Sequence, residues 1–355
     1  MKYILPILLL LIISCQPPTT LQINETNNYR AKIDSLALTF KGDRDYVQMA
    51  IGIIDGDKIE TFFIGDSVNA NTLFEIGSIT KTFTGITLAR LHNAGVLNLQ
   101  DSIDIFLPDS VQYQKKDFQP VRLWHLTTHT SGMPQIPLNL IFNVKDQTNP
   151  YKDYSPADMF DFLPSYSPDN FEKGINYSNY AVGMLGYCIA NRESLNIESI
   201  LRKYVIDDLK MNNTRIQLNE NQRQNFITGY TAEGDYQQPW DFTDATSSAG
   251  ALKSNISDMM IYLKANMQPD NSTLGKAIQK SQKPLFDGGR NQIGCGWFLQ
   301  EDMIGHDGAT YGYNSSMMFD KTKQKGVVVL VNTFDMKKDV NSLAIEMMRK
   351  IGAIN

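Results

Sequence analysis

The chain is poor in cysteine. Its 355 residues hold three: Cys15, Cys188 and Cys295. That is too few for a fold built on disulfides. It also has no basic run and a formal net charge of -5, which argues against a nucleic-acid partner. No G-x-S-x-G elbow occurs, which argues against an α/β-hydrolase. His125 and His129 have the spacing of a zinc-binding helix, but no Glu follows the first of them, so no metal site is expected. No internal repeat is visible. The one long apolar run, Tyr3 to Ile13, is too short to span a bilayer.

That run follows Lys2 and closes on Leu11-Ile12-Ile13-Ser14-Cys15, which resembles a bacterial lipoprotein signal. The resemblance implies cleavage after residue 14 and lipidation of Cys15. The chain would then be an exported lipoprotein of the periplasm or outer envelope, touching the membrane only through its lipid. Residues 15–27, rich in Gln, Pro, Thr and Asn, read as a tether. Cys188 and Cys295 remain. A disulfide is possible on count, but two buried free thiols are the better expectation, since free cysteine is among the most buried residue types.

The whole chain is 42% hydrophobic, and the remainder, 28–355, is long enough for a large core. Residues from about 28 to 41 read as a helix. Tyr46–Ile54 and Ile59–Ile64 are β-rich and flank the turn Asp55-Gly56-Asp57, a hairpin signal. From about 96 to 240 the pattern is mainly helical, broken by proline-containing loops. Strand signals return at Gly294–Gln300, Tyr313–Phe319 and Gly326–Thr333, before a terminal amphipathic helix at about Val340–Ile351. The economical fold is α+β: one antiparallel sheet made from both chain ends, with flanking helices and an inserted helical lobe. The sheet lobe would take about 28–75 and 285–355, and the helical lobe about 76–284.

The chemistry centres on Phe74-Glu75-Ile76-Gly77-Ser78-Ile79-Thr80-Lys81. Ile79, Phe83, Ile86, Leu88 and Leu91 continue it at helical spacing, and Gly95 is placed to end that helix. Ser78 therefore lies at a helix start with Lys81 one turn on, a nucleophile beside its base. A lysine serves as a base only when burial or positive charge destabilises its ammonium. Tyr177-Ser178-Asn179 lies on a loop before an apolar helix. Tyr177 is placed to exchange protons, and Asn179 to donate to a substrate carbonyl. Gly305-His306-Asp307-Gly308-Ala309 opens a strand that runs on to Phe319, with glycine allowing close approach of a substrate backbone.

Ser78-x-x-Lys81, Tyr177-x-Asn179 and His306-x-Gly308, in that order, are similar to the serine β-lactamase and penicillin-binding-protein superfamily. The spacings resemble its class C β-lactamase and D-aminopeptidase/esterase branch. So do Trp124-His125-Leu126-Thr127-Thr128-His129-Thr130-Ser131-Gly132 and Ser248-Ala249-Gly250-Ala251-Leu252-Lys253-Ser254. The resemblance implies an acyl-enzyme on Ser78, with Lys81 and Tyr177 sharing the acid–base work. It places the oxyanion donors at the backbone N–H groups of Ser78 and Ala309, Asn179, His306 and Gly308 against the substrate, and needs no cofactor. The substrate would be a small molecule or peptide with an amide or ester. The third motif of β-lactamases reads K-T-G, which this chain lacks. Members with H-x-G there are mostly peptidases, esterases or proteins of unknown substrate. A β-lactamase or D-alanyl-D-alanine carboxypeptidase is the alternative, and an envelope sensor that acylates without turnover is a third reading. With an ordinary pKa of about 6.5, His306 should be mostly neutral at about pH 7.5 and gain charge toward pH 6, favouring anionic substrates there.

Overall fold

A computed structural model describes residues 28–117, 119–289 and 291–354. Cys15, the signal and the tether lie outside those residues. An eight-stranded antiparallel sheet forms the frame. Its order runs Lys58–Ile64, Met49–Asp55, Lys325–Val331, Tyr313–Asp320, Met303–Thr310, Phe298–Gln300, Gln292–Ile293 and Phe286–Asp287. The two ends of the chain meet in adjacent strands, the second and third of that order, where Met49 pairs with Val331 and Asp55 with Lys325.

The two-residue period of a strand divides the sheet's side chains between two cores. Ile51, Ile53, Val327, Val329 and Val331 face an outer layer made by the helices Asn28–Lys41 and Val340–Lys350. Ala50, Ile54, Val328, Leu330, Met317 and Phe319 face the larger core, shared with the helices Thr80–Asn93 and Ile256–Met267. Strands this apolar on both faces are stable only when both are covered, which is why the sequence supplies helices at both ends and in the middle.

Three expectations need correction. Gly294–Gln300 is not one strand. It is a hairpin corner between Gln292–Ile293 and Phe298–Gln300, with Gly296 at φ +73. A Cβ on Gly296 would lie 2.3 Å from the Lys81 carbonyl oxygen, so glycine lets this corner back onto the Ser78 helix. The strand from Gly305 to Phe319 is likewise two strands, Met303–Thr310 and Tyr313–Asp320, turning at Tyr311-Gly312. The middle of the chain is less helical than its apolar spacing suggests. Between 96 and 240 one helix is long, Asn179–Glu193, and the others described have seven residues or fewer. Cys188 and Cys295 are buried free thiols. No helix among the described residues is long and apolar enough to cross a membrane.

Candidate active site

The Ser78 stretch threads between the sheet and the helices. Leu73–Glu75 pairs with Lys253–Asn255, and Ile76 N–H donates to the Leu252 carbonyl at 3.0 Å. The chain then takes a tight turn over Gly77–Ile79, with Gly77 at φ +48, and enters the Thr80–Asn93 helix. Most of that helix is buried, including Ile79, Phe83, Ile86, Leu88 and Leu91. Gly95 follows its end at φ +69, the left-handed cap its sequence position implies.

Lys81 is 1% exposed, and Nζ has three neighbours. Ser78 Oγ lies at 2.8 Å, Asn179 Oδ1 at 2.8 Å and the Ala249 carbonyl at 2.7 Å. Burial holds the ammonium well below its ordinary range. Two of these partners only accept. A neutral amine has two N–H groups for them and one lone pair, which then faces the Ser78 hydroxyl. Tyr177 lies half-buried beside this group, with Lys81 Nζ 4.9 Å from its ring centre. Burial pushes the Tyr177 phenol upward, against the opposing pull of the Ser78 hydroxyl. Tyr177 is thus a neutral phenol at physiological pH, and no cation holds it ionised.

The loop that carries Tyr177 is fixed from both sides. Ser178 caps the Asn179–Glu193 helix by accepting from Ala181 N–H, and its own N–H donates to His129 Nδ1 at 3.2 Å. The His129 ring packs 4.5 Å from the Tyr177 ring. The helix Leu123–Thr127 ends before His129, which sits at φ +60, so His125 and His129 are not one turn apart on one helix. His125 instead accepts from Arg122 N–H and contacts Glu172 at 2.8 Å.

On the opposite wall, Met303–Thr310 pairs with Phe298–Gln300 only as far as Gly305. His306 to Thr310 therefore present a free strand edge to the cleft. Glycines let this edge close on Ser78. A Cβ on Gly77 would lie 2.6 Å from Ala309 N, and one on Gly308 would lie 2.9 Å from Ser78 N and 2.0 Å from the Ile76 carbonyl oxygen. The N–H groups of Ser78 and Ala309 therefore belong to two closely packed backbones, the arrangement an oxyanion needs.

Asn179 lines the cleft, and each end of its amide makes one hydrogen bond. Oδ1 receives Lys81, and Nδ2 donates to the Tyr151 hydroxyl at 3.2 Å. It orients the lysine, and its second Nδ2 hydrogen has no partner among the contacts described. His306 is buried, and burial with the nearby Lys81 pushes it down to about 3. It is neutral at pH 7.5 as expected, but the gain of charge near pH 6 does not belong to it. Asp307 does titrate there: burial raises it to about 6.

The cleft has a volume of about 970 Å³, and Ser78, Tyr177, Asn179, His306, Gly308 and Ala309 all line it. Sequence reasoning missed Tyr151, Trp240 and Asp339 in its wall. It also missed the Ala249 carbonyl, although Ser248-Ala249-Gly250 had stood out as a motif.

A model of the family described as Beta-lactamase matches residues 33–348. A beta-lactamase of Yersinia enterocolitica is 31% identical over 271 residues, covering 74% of this chain and 66% of that protein. A beta-lactamase of Escherichia coli (strain K12) is 25% identical over 303 residues, covering 75% and 76%. The crystal structure of a beta-lactamase/D-alanine carboxypeptidase from Pseudomonas syringae superposes with a TM-score of 0.77 at 19% identity, over 91% of this chain and 99% of that one. At that identity the likeness speaks to the fold.

Proposed function

The chain belongs to the beta-lactamase family of serine hydrolases, and we propose that its acyl-enzyme forms on Ser78. The observation that carries this is the set of three contacts around the buried Lys81 amine. Lys81 takes the Ser78 proton as Oγ bonds to the carbonyl carbon. The oxygen that gains charge is held by Ser78 and Ala309 N–H. The protonated Lys81, unstable in its buried site, passes its proton toward the leaving group as the old bond breaks. Tyr177, a neutral phenol next to Ser78, relays or donates that proton. Water then attacks the ester, and the same groups run in reverse. Asn179 and Ala249 hold the amine in line throughout. No step calls on a metal or an organic cofactor.

A fluorophosphonate probe tests this. It should label Ser78 on peptide mapping and leave Ser78→Ala unlabelled. Label mapped to another residue would overturn the assignment. The β-lactamase or D-alanyl-D-alanine carboxypeptidase alternative uses the same machinery and differs in substrate; burst kinetics on chromogenic substrates separate turnover from trapping.

We further propose that Cys15 carries lipid and anchors the enzyme in the cell envelope, on the strength of the short apolar run ending at Ser14-Cys15. Intact-mass analysis of the membrane-extracted protein should show a cleaved, lipid-bearing Cys15. An unmodified cysteine there would refute it.

A further inference from the structure

The His129-Thr130-Ser131-Gly132 stretch holds no reacting group, yet it begins the bed on which the Tyr177 loop lies. Residues 129–135 run alongside residues 176–179 and take hydrogen bonds from them in turn. The Asn176 N–H donates to the His129 carbonyl at 2.8 Å, and its Nδ2 to the Met133 carbonyl at 2.9 Å. The Ser178 hydroxyl donates to the Pro134 carbonyl at 2.6 Å, and the Asn179 N–H to the Gln135 carbonyl at 3.1 Å. Those four acceptors are backbone carbonyls, which any sequence would supply. The one side chain that accepts is His129, whose Nδ1 takes the Ser178 N–H at 3.2 Å. Ser178 is buried, so without that nitrogen its N–H would lose its partner away from water.

His129 therefore holds Tyr177 in three ways. Its carbonyl binds the residue before the tyrosine, its imidazole binds the residue after, and its ring packs on the phenol ring with centres 4.5 Å apart. The residue type suits each demand. Its backbone sits at φ +60, a region that His, Asn and Asp enter more readily than most side chains. Nδ1 must be bare to accept, so Nε2 carries the ring proton. The ring must also be uncharged. It is 1% exposed, and burial, with Lys81 and His306 nearby, holds it well below its ordinary range. His129 itself does not line the cleft. We propose that His129 is a positioning residue for Tyr177: it fixes the phenol against Ser78, and so governs proton transfer without touching the substrate. The inference rests on Tyr177 lying on the proton path.

Three variants and one spectrum test the proposal. His129→Phe keeps an aromatic ring against Tyr177 and removes the acceptor. The misplaced phenol should lower kcat on a nitrophenyl ester by about 10–10²-fold and change KM by less than about threefold. If the ester is not turned over, the rate of Ser78 phosphonylation takes the place of kcat. His129→Asn sets Oδ1 near the place of Nδ1 and tolerates the left-handed backbone, so it should stay within about threefold of the wild type. In a Tyr177→Phe background, His129→Phe should cost less than about threefold, because no phenol is left to position. Equal losses in both backgrounds, or a loss carried by KM, would overturn the role and leave the hydrolase standing. Should His129→Phe fail to fold, His129→Asn and imidazole nitrogen NMR of the wild type decide. A folded His129→Asn without activity would refute the role. The ring whose signals vanish in His129→Asn should be neutral at neutral pH with its proton on Nε2; a proton on Nδ1 would refute the role as well. Near-wild-type turnover in Tyr177→Phe is a different result, which removes the tyrosine from the chemistry and the positioning role with it. Failure of the fluorophosphonate to label Ser78 counts against the nucleophile instead.

Discussion

Lys81→Ala should lower kcat on a nitrophenyl ester by about 10²–10⁴-fold, the usual worth of a positioned general base. The reason is specific to the site. The Ser78 hydroxyl faces an amine whose charged form burial disfavours, and no carboxylate or neutral imidazole stands within hydrogen-bonding reach to replace it among the contacts described. Lys81→Arg should not rescue, because a guanidinium stays charged. Tyr177→Phe should also slow the enzyme, and combining it with Lys81→Ala should add little, since both lie on one proton path. Thermal melts of each variant would show that the fold survives. Near-wild-type turnover in Lys81→Ala would remove the lysine from the chemistry.

The second large effect is expected at Gly308→Ala. The added methyl meets the Ile76 carbonyl oxygen at 2.0 Å and the Ser315 Oγ at 2.6 Å. Neither has room to move, because Ser315 Oγ donates to that same Ile76 carbonyl at 2.9 Å. The strand edge must therefore lift away from Gly77-Ser78 and take Ala309 N–H with it. Loss of one oxyanion donor costs about 10²–10³ in kcat. Overpacking of this kind also costs about 1–3 kcal/mol of stability. The check is kcat alongside the denaturation midpoint. A variant that is less stable but fully active would show that the two backbones need not touch for catalysis.

The parts of this molecule legible in its sequence are those set by local periodicity. The Met49–Asp55 and Lys58–Ile64 hairpin, the Val327–Val331 run and the Ser78 helix each declare themselves in a handful of residues, because side-chain period and turn chemistry are local properties. Ser78, Lys81 and Tyr177 were legible as ordered motifs. What stayed hidden depends on contacts distant in sequence. Lys81 meets a carbonyl 168 residues away, and Asn179 is engaged by Tyr151, 28 residues before it. The corner at Gly294–Trp297 looked like strand because its apolar residues are buried against the Lys81 helix, a reason that no window of ten residues contains. The same holds for His306, whose depressed basicity comes from burial rather than from its neighbours in the chain.

Ser78 as a nucleophile activated by an uncharged lysine is the central claim, and the pH dependence of Ser78 phosphonylation tests it most directly. Burial holds Lys81 well below its ordinary range, so the labelling rate should rise from low pH, level off well below the pH at which an ordinary lysine titrates, and stay flat above that. In Lys81→Ala the plateau should vanish. A wild-type rate that keeps climbing toward pH 10, as an ordinary ammonium of pKa about 10.4 would dictate, would contradict the account.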